Sequence, residues 1–154
     1  MRCWATTQRR MILNAMAAFQ NTTCMRFRPY NSVSDRDFVS IESGKTGCWS
    51  NLGRIGGKQA LNLQVPGCVT YIGTVIHELM HVAGFFHKQS RPDRNDFVTI
   101  HPENIENGME FNFELVQSAT FNIPYDYDSV MHYSGTAFSK NGLPTITAKV
   151  IILT

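Results

Sequence analysis

The 154-residue sequence has no long apolar run and no recognisable leader. No window approaches the ~18 consecutive apolar residues of a membrane-spanning helix, so no transmembrane span is expected. The start, MRCWATTQRRM, has no basic segment followed by an apolar one, which is how a secretory signal peptide begins. Taken alone, this start predicts a chain that stays in the cytoplasm.

An excess of charge of one sign is also absent. The 14 basic and 12 acidic residues are scattered and give a net charge of +2, so a nucleic-acid partner, which needs a clustered basic surface, is not expected. The chain is 43% apolar and 17% charged, which is ordinary for a globular protein and argues against disorder. Repeats and linkers are missing too. We therefore expect one domain, a monomer, with a substantial core.

The four cysteines form no C-x-x-C pair. They stand at Cys3, Cys24, Cys48 and Cys68, a spacing that argues against a zinc ribbon or a redox motif. Disulfides and buried free thiols both remain open on this evidence. The tripeptide that begins at Asn21 is an N-glycosylation acceptor, which matters only in a secreted protein.

A first helix is predicted close to the start of the chain. Thr6 or Thr7 can cap it, and it should run to about Gln20. Its apolar residues recur at helical spacing and would face a core: Met11, Ile12, Ala15, Met16 and Phe19.

Short strands and a second helix are predicted to follow. The strands are Cys24–Arg28, Asp37–Glu42 and one through Leu61, Leu63 and Val65. Glycines around CWSNLGRI indicate a loop. The second helix should span Val69 to about Phe85, and the chain beyond it is mostly irregular, with a short helix after Pro102. This order of elements predicts an α+β fold.

Three of the five histidines lie within HELMHVAGFFH, from His77 to His87. His77 and His81 are four residues apart on a helix, so they share one face. Two imidazoles placed in this way can hold one zinc ion at roughly 2.0–2.1 Å. Glu78 lies about 100° further round the helix, where its carboxylate can take a proton from a metal-bound water.

His87 can join the other two histidines only if the helix ends before it. Six residues of continued helix turn the chain by about 600° and leave His87 about 240° away from the metal-facing side. Gly84 permits the necessary turn because glycine adopts positive φ without a Cβ clash. Three imidazoles leave a fourth position for water, which is the catalytic arrangement. A packing helix with incidental histidines is disfavoured, since a chance H-E-x-x-H is expected only roughly 0.006 times here.

The motif H-E-x-x-H-x-x-G-x-x-H is the signature of the metzincin metalloproteases, and SVMHY, from Ser129 to Tyr133, resembles their Met-turn. The stretches TCMRF, GCWSNLGR, SRPDR and YDYDSVMHY resemble the astacin family in particular. The resemblance covers about residues 8–140, and RCW and NIPYDYDS are most similar to the fish hatching-enzyme branch. It implies a metzincin-like zinc protease domain, with a small mixed sheet, a central zinc-binding helix and an irregular C-terminal part.

The resemblance implies a role for each residue of these motifs. Three histidines would bind one Zn²⁺: His77, His81 and His87. Glu78 would be the general base and acid, and Met131 an apolar floor under the metal. Tyr133 would be an additional ligand that swings away when substrate binds and then helps to hold the oxyanion. Without the zinc motif, Met131 would be ordinary core and Tyr133 an ordinary aromatic residue.

The implied activity is zinc-dependent hydrolysis of peptide bonds in protein or peptide substrates. The substrate would add an extended strand to the sheet edge near Trp49 and Ser50. The family pattern also pairs Cys48 with Cys68 in a disulfide that would hold this edge in place. Trp49 as a buried anchor without substrate contact is an equal alternative. The family, the cysteines and Asn21 also imply secretion, against a start that carries no signal.

The sequence departs from the family pattern in four places. Lys88 stands where relatives have a glutamate that connects, through water, to the amino terminus freed by propeptide removal, and lysine cannot accept such a bond. The usual strand before the first helix is missing. The tail LPTITAKVIILT is dissimilar and lacks the family partner of Cys24, which could pair with Cys3 instead. Signal and propeptide are absent. We therefore expect residues 1–154 to be a single but incomplete metalloprotease catalytic domain.

Two other interpretations compete with a zinc endopeptidase. A catalytically inactive zinc- or peptide-binding relative is favoured by Lys88 and the missing segments, and it predicts zinc binding without turnover. A purely structural zinc domain is disfavoured, because Glu78 would have no role in it. The endopeptidase uses the complete set of motif residues and is the function that the sequence predicts: His77, Glu78, His81, His87 and Tyr133.

Overall fold

The computed structural model describes the chain from Trp4 to Lys149. The chain divides into two compact units, one up to Phe85 and the other from Phe86 onward. Each unit has its own hydrophobic core, so each is described by itself. Within the described part, no helix is long and apolar enough to span a membrane. The single-domain assignment stays a prediction.

The first helix, α1, spans Thr6–Thr22. Its N-cap is Ala5, so the prediction of a Thr6 or Thr7 cap is wrong. The Gln8 side chain accepts a hydrogen bond from the Ala5 N–H at 3.1 Å and satisfies that donor, as the glutamine of a capping box does. The predicted core face is confirmed, with Ile12, Ala15 and Phe19 buried and Met11 and Met16 partly buried beside them.

The first unit contains the predicted small mixed sheet. Its three strands are β1 (Phe38–Glu42), β2 (Cys48–Ser50) and β3 (Lys58–Leu63). β3 is central, parallel to β1 and antiparallel to β2. Asn62 of β3 is only 1% exposed, because its side-chain amide donates to the carbonyls of Lys45 at 2.9 Å and Gly47 at 2.7 Å. The mixed sheet of the predicted α+β fold is thus confirmed.

Three details of the strand prediction are wrong. β3 ends at Leu63, so the predicted Val65 lies beyond it. The predicted strand Cys24–Arg28 belongs to no ladder among the described residues. Its Phe27 N–H donates to the Gln20 side chain at 2.9 Å instead of to a strand. Conversely, Cys48–Ser50, which the glycine pattern predicts as loop, forms β2 through its pairing with β3. The family resemblance implies a sheet edge here, and the partner strand decides the conformation of so short a segment.

The second helix, α2, spans Ile72–Val82, which is shorter at both ends than predicted. Gly84 follows it with a φ of 97°. The Phe85 N–H donates to the Met80 carbonyl at 3.0 Å, and the Gly84 N–H donates to the His81 carbonyl at 2.9 Å. These two bonds form a Schellman motif. The predicted turn at Gly84 is therefore confirmed, although the helix ends before the predicted Phe85.

The core of the first unit lies where α1, β3 and α2 pack together. α1 contacts α2 directly, and α2 also contacts β2 and β3. Its buried residues are Ile12, Ala15, Phe19, Leu61, Leu63, Cys68, Val69, Val75 and Leu79. The helix that carries the histidines is therefore held by apolar packing on the side away from them.

The second unit is mostly irregular, as predicted, but contains two unpredicted strands. β4 (Val98–Ile100) pairs antiparallel with β5 (Ile146–Ala148). Each is only three residues long, so neither shows a clear alternation in the sequence. The short helix expected after Pro102 is confirmed as a 3-10 helix over Pro102–Asn104. The buried core residues are Val98, Ile105, Phe113, Tyr125 and Ile146.

One disulfide joins the sheet to the segment before α2. Cys48 of β2 is bonded to Cys68, with the Cα atoms 5.6 Å apart, which confirms the pairing implied by the family resemblance. Cys24 is exposed and bonded to no other described cysteine. Its proposed partner, Cys3, lies outside the described residues, so that pairing stays a prediction.

Replacing Cys48 and Cys68 together by serine should destabilise the protein. The disulfide joins residues 20 positions apart, and opening a loop of that length costs about 3 kcal/mol of unfolding free energy. Urea denaturation of the zinc-loaded chain measures this loss. Cys24→Ser is the comparison variant, because it leaves the Cys48–Cys68 disulfide intact; a lowered midpoint in this variant would report the predicted pairing of Cys24 with Cys3. A double variant as stable as the parent contradicts the expectation.

Gly84→Ala should destabilise the turn after α2. A Cβ at Gly84 would meet its nearest neighbour, the Gly53 Cα, at an ordinary 4.0 Å, so the cost is conformational rather than steric. Holding alanine at positive φ costs roughly 1–2 kcal/mol. The same urea measurement detects it. Gly44→Ala is the control, because Gly44 has open space around it and no left-handed φ. Equal stabilities of the two variants would show that the turn tolerates a side chain.

Candidate metal site

The structure brings the three predicted histidine ligands together. The rings of His77 and His81, one turn apart on α2, have centroids 4.6 Å from each other and lie at 87°. His87 follows the Gly84 turn. One ligand atom from each of the three histidines lies within 4.8 Å of the others. Between Trp4 and Lys149, no other group of three or more histidine, cysteine, aspartate or glutamate residues is placed to hold a metal ion.

A hydrogen bond orients the His81 ring. Its Nδ1 lies 2.8 Å from the carbonyl oxygen of Phe85. Because a carbonyl only accepts, Nδ1 carries the proton and Nε2 keeps its lone pair for a metal. Burial lowers the pKa of His81, with the Phe85 carbonyl acting against this effect. The Schellman turn thus supplies the kind of carbonyl partner that fixes metal-ligating histidines.

Glu78 is a buried carboxylate on the same helix, next to His77. It is 3% exposed, and its Oε2 has no hydrogen-bond partner among the described residues. Burial raises the pKa of Glu78, while His77 and Ser50 act in the opposite direction. A buried polar oxygen without a partner is costly, so its presence points to a function.

Tyr133 lies beside the third histidine. Its ring centroid is 4.4 Å from that of His87, at an interplanar angle of 50°. The Tyr133 N–H donates to the side-chain oxygen of Gln89 at 3.1 Å, and Gln89 is completely buried. Burial raises the pKa of Tyr133, which keeps the phenol protonated and able to donate.

Met131 and Lys88 are linked through their backbones. The Lys88 N–H donates to the Met131 carbonyl at 2.9 Å, and Met131 is 2% exposed. The Lys88 ammonium lies 5.4 Å from the centre of the Tyr125 ring. Met131 is therefore buried, and its backbone is hydrogen-bonded to Lys88, the residue after His87. Its role as an apolar floor under the metal stays a prediction.

A hydrogen-bonded pair behind Tyr133, formed by Tyr125 and His132, was not predicted from the sequence. His132 Nδ1 lies 2.7 Å from the Tyr133 carbonyl, so it is the donor there. His132 Nε2 then accepts from the Tyr125 hydroxyl at 2.8 Å. Burial raises the pKa of Tyr125 to about 12, in keeping with a donor. The only sequence signal was the spacing of aromatic residues and histidine in YDYDSVMHY.

The two predicted substrate-binding residues lie on β2, an edge strand of the described sheet. The Ser50 hydroxyl donates to the backbone carbonyl of Glu78 at 3.0 Å. Trp49 is half-buried, with the Lys45 ammonium 5.2 Å from the centre of its ring. Ser50 thus ties the edge strand to the metal-site helix, while Trp49 keeps an accessible surface.

The donor set fits a zinc ion. Imidazole nitrogen suits Zn²⁺, and three such ligands with an open fourth position form a catalytic zinc site. Tetrahedral ligands at about 2.1 Å lie about 3.4 Å apart, a separation compatible with ligand atoms that all lie within 4.8 Å of one another. The unpartnered Glu78 oxygen on the same helix matches a site that keeps a water.

Curated relatives with similar sequences are metalloproteinases. The chain is 44% identical over 146 residues to zinc metalloproteinase nas-14 of Caenorhabditis elegans, covering 92% of this chain and 29% of that protein. It is 47% identical over 139 residues to the astacin-like metalloendopeptidase of Mus musculus, covering 90% of this chain and 31% of that one. The chain thus spans about a third of the length of these relatives.

A solved structure and a family model agree with these relatives. High choriolytic enzyme 1, a hatching enzyme zinc-protease from Oryzias latipes, superposes with a TM-score of 0.88 at 42% identity, covering 94% of this chain and 71% of that chain. This match confirms the metzincin-like fold prediction and the similarity to fish hatching enzymes. The model of the Astacin peptidase family matches residues 2–152, beyond the stretch that the motifs cover. The chain therefore belongs to the astacin family of peptidases.

Proposed function

We propose that this chain is a zinc-dependent endopeptidase that hydrolyses peptide bonds in protein or peptide substrates. The observation that carries the proposal is the buried Glu78 carboxylate, whose Oε2 has no described partner, next to a cluster of three histidines. An inactive zinc-binding protein has no use for a costly orphaned carboxylate. Family membership and the metalloproteinase names of the relatives support the same function.

His77, His81 and His87 would hold one zinc ion. When bound, zinc polarises the scissile carbonyl and lowers the pKa of a water towards about 7. His81 would bind through Nε2, because its Nδ1 proton is donated to the Phe85 carbonyl. This backbone bond keeps the ring turned correctly before the metal arrives and makes the imidazole a better ligand.

Glu78 would move the proton. It would take a proton from the attacking water and pass it to the leaving amine, as a general base and then a general acid. Its place on a helix packed against the core, with its backbone carbonyl bonded to Ser50, limits its movement. This rigidity matters because proton transfer needs a carboxylate within hydrogen-bond reach of the water.

Tyr133 would stabilise the developing oxyanion by donating its phenol proton in a hydrogen bond. By family resemblance it would also be the additional metal ligand before substrate binds. Its ring lies against His87, and its backbone is held by Gln89 on one side and His132 on the other. With the backbone held in this way, the Tyr133 hydroxyl is the part that would move between the metal and the oxyanion.

The substrate would bind in an extended conformation along β2. An edge strand offers backbone groups that a peptide can pair with, and the Cys48–Cys68 disulfide fixes one end of this strand. The half-buried Trp49 would contact the substrate. Ser50 would hold the edge strand against α2 through its hydrogen bond to the Glu78 carbonyl. β2 therefore links substrate position to Glu78.

We further propose that residues 1–154 act as a single catalytic domain outside the cell. The Cys48–Cys68 disulfide is typical of oxidising compartments. Asn21, in the glycosylation tripeptide, is exposed near the end of α1, where an attached glycan would not disturb the core.

Glu78→Gln should strongly lower turnover while zinc binding survives. The amide keeps the shape of the carboxylate but cannot accept the proton, so kcat should fall by about 10²–10⁴-fold. Hydrolysis of a fluorescence-quenched, unstructured peptide mixture gives the rate, and elemental analysis gives the zinc content. Glu114→Gln is the control, because Glu114 is exposed.

Either of two results would contradict the proposed function. One is full activity of the Glu78→Gln variant, which would remove Glu78 from the reaction. The other is a folded parent chain with bound zinc that cleaves nothing in the mixture, which would leave a zinc-binding protein without peptidase activity.

Tyr133→Phe should lower kcat by about 10²–10³-fold, the usual cost of losing one oxyanion donor. KM should change little, because the phenylalanine ring keeps the packing against His87 and the backbone bond to Gln89. The same peptide assay measures both constants. Tyr71→Phe is the matched control, since Tyr71 is 74% exposed. Unchanged kcat in Tyr133→Phe would exclude the hydroxyl from the reaction.

A further inference from the structure

Tyr125 is a buried tyrosine whose hydroxyl the proposed mechanism does not use. It is 7% exposed, and its ring stacks on Phe97 in the core of the second unit, with centroids 4.7 Å apart at 15°. A phenylalanine would fill this apolar position equally well, whereas a buried phenol also has to place its hydroxyl on a hydrogen-bond partner. The reason for a tyrosine here therefore lies in the bond that its hydroxyl makes.

The hydroxyl of Tyr125 determines which nitrogen of His132 carries the proton. It lies 2.8 Å from Nε2 of His132, and Nδ1 of the same ring lies 2.7 Å from the Tyr133 carbonyl oxygen. Tyr125 can donate to Nε2 only while that nitrogen keeps its lone pair, so this bond favours the tautomer with the proton on Nδ1. That tautomer is also the one that can donate to the Tyr133 carbonyl.

His132 and Gln89 hold the backbone of Tyr133 from both sides. The Tyr133 carbonyl accepts from His132, and the Tyr133 N–H donates to Oε1 of Gln89 at 3.1 Å. These two bonds fix the direction in which the side chain leaves the backbone, while its ring packs against His87 with centroids 4.4 Å apart. Because the phenol oxygen is at the far end of the side chain, a small rotation of the backbone displaces it by a larger distance.

The position of the Tyr133 phenol oxygen matters for the proposed reaction. An oxyanion donor is effective when it lies about 2.7–3.1 Å from the oxygen on which the charge develops. A misplacement of about 1 Å can cost about 10²-fold in rate. The hydroxyl of Tyr125 is linked to this donor by hydrogen bonds through His132, although Tyr125 itself is buried in the core.

We propose that Tyr125 and His132 are positioning residues for Tyr133. The Tyr125 hydroxyl holds His132 in the tautomer protonated on Nδ1, and His132 in turn fixes the Tyr133 carbonyl, which places the phenol for the developing oxyanion. Neither positioning residue would touch the substrate or the metal ion. The effect on the rate rests on the proposed peptidase function, whereas the effect on the His132 tautomer does not.

Tyr125→Phe tests the effect on the rate, because it removes the hydroxyl and keeps the ring stacked on Phe97. We expect kcat for the quenched peptide mixture to fall by about tenfold or more, with KM little changed, since a misplaced donor weakens binding of the transition state alone. In the Tyr133→Phe background, where the positioned hydroxyl is missing, the same substitution should change kcat by less than about twofold. A merely structural role would lower kcat by the same factor in both backgrounds.

Tyr127→Phe is the matched control. The Tyr127 hydroxyl also donates a hydrogen bond, to the Phe97 carbonyl at 3.0 Å, and its ring centroid lies 5.1 Å from that of Tyr125. The control therefore loses a similar bond in the same part of the second unit without removing the donor to His132. Its kcat should stay at the level of the parent.

A measurement that needs no turnover tests the tautomer. Nitrogen NMR of the folded, zinc-loaded chain, with isotope-labelled histidine, shows which ring nitrogen of His132 carries a proton, and His132→Gln identifies its signals. We expect the proton on Nδ1 in the parent and in Tyr127→Phe. In Tyr125→Phe a share of the molecules should carry it on Nε2, because the donor to that nitrogen is missing.

Three results would overturn the positioning role. They are an unchanged kcat in Tyr125→Phe, an equal loss of kcat in both Tyr133 backgrounds, and a His132 tautomer that is the same with and without the Tyr125 hydroxyl. Each of them leaves the proposed function standing, because the parent still cleaves peptides. A zinc-loaded parent that cleaves nothing overturns the proposed function, and the positioning role with it.

Discussion

The turn at Gly84 is the constraint on which the candidate site depends. Two histidines on one helical face follow from a spacing of four residues, but a third ligand from the same segment requires the helix to stop and reverse. The positive φ of Gly84 and the two Schellman bonds produce this reversal. The same turn aims the Phe85 carbonyl at His81 Nδ1. One backbone motif therefore both delivers the third histidine and sets the tautomer of the second.

The helix that carries His77 and His81 has different surroundings on its two sides. On one side Val75 and Leu79 are buried in the apolar core of the first unit. The other side carries His77 and His81. Glu78 lies between the two sides, buried with an oxygen that has no partner among the described residues, which destabilises the fold locally. The apolar packing offsets that cost, and the Ser50 bond to the Glu78 carbonyl ties the helix to the sheet. The apolar packing and the two histidines thus lie on opposite faces of α2, with Glu78 between them.

The parts of the fold that depend on local periodicity could be predicted from the sequence. The core face of α1 and the end of α2 follow from apolar spacing and from one glycine. The failures involve segments whose conformation depends on a distant partner. β2, β4 and β5 have three residues each, and pairing decides their state. Cys24–Arg28 has strand-like residues, but no neighbouring strand among the described residues pairs with it.

In the candidate site, too, the residues that are close in sequence could be predicted and those that depend on distant contacts could not. The three histidines and Glu78 lie in one short segment, so their spacing alone indicates their chemistry. The chain of bonds from Tyr125 through His132 to Tyr133 depends on the tautomer of His132, which only the geometry around both nitrogens defines.

Lys88 shows how a departure from the family pattern can leave the site geometry in place. The connection of position 88 to the Met131 segment is made by its backbone N–H, which every residue except proline supplies. The lysine side chain instead lies over the Tyr125 ring, which Arg91 also approaches. Burial first, and then Arg91, lower the pKa of Lys88, while Asp126 and Asp93 oppose them. The substitution therefore changes the charge around Tyr125 and leaves the backbone link beside His87 intact.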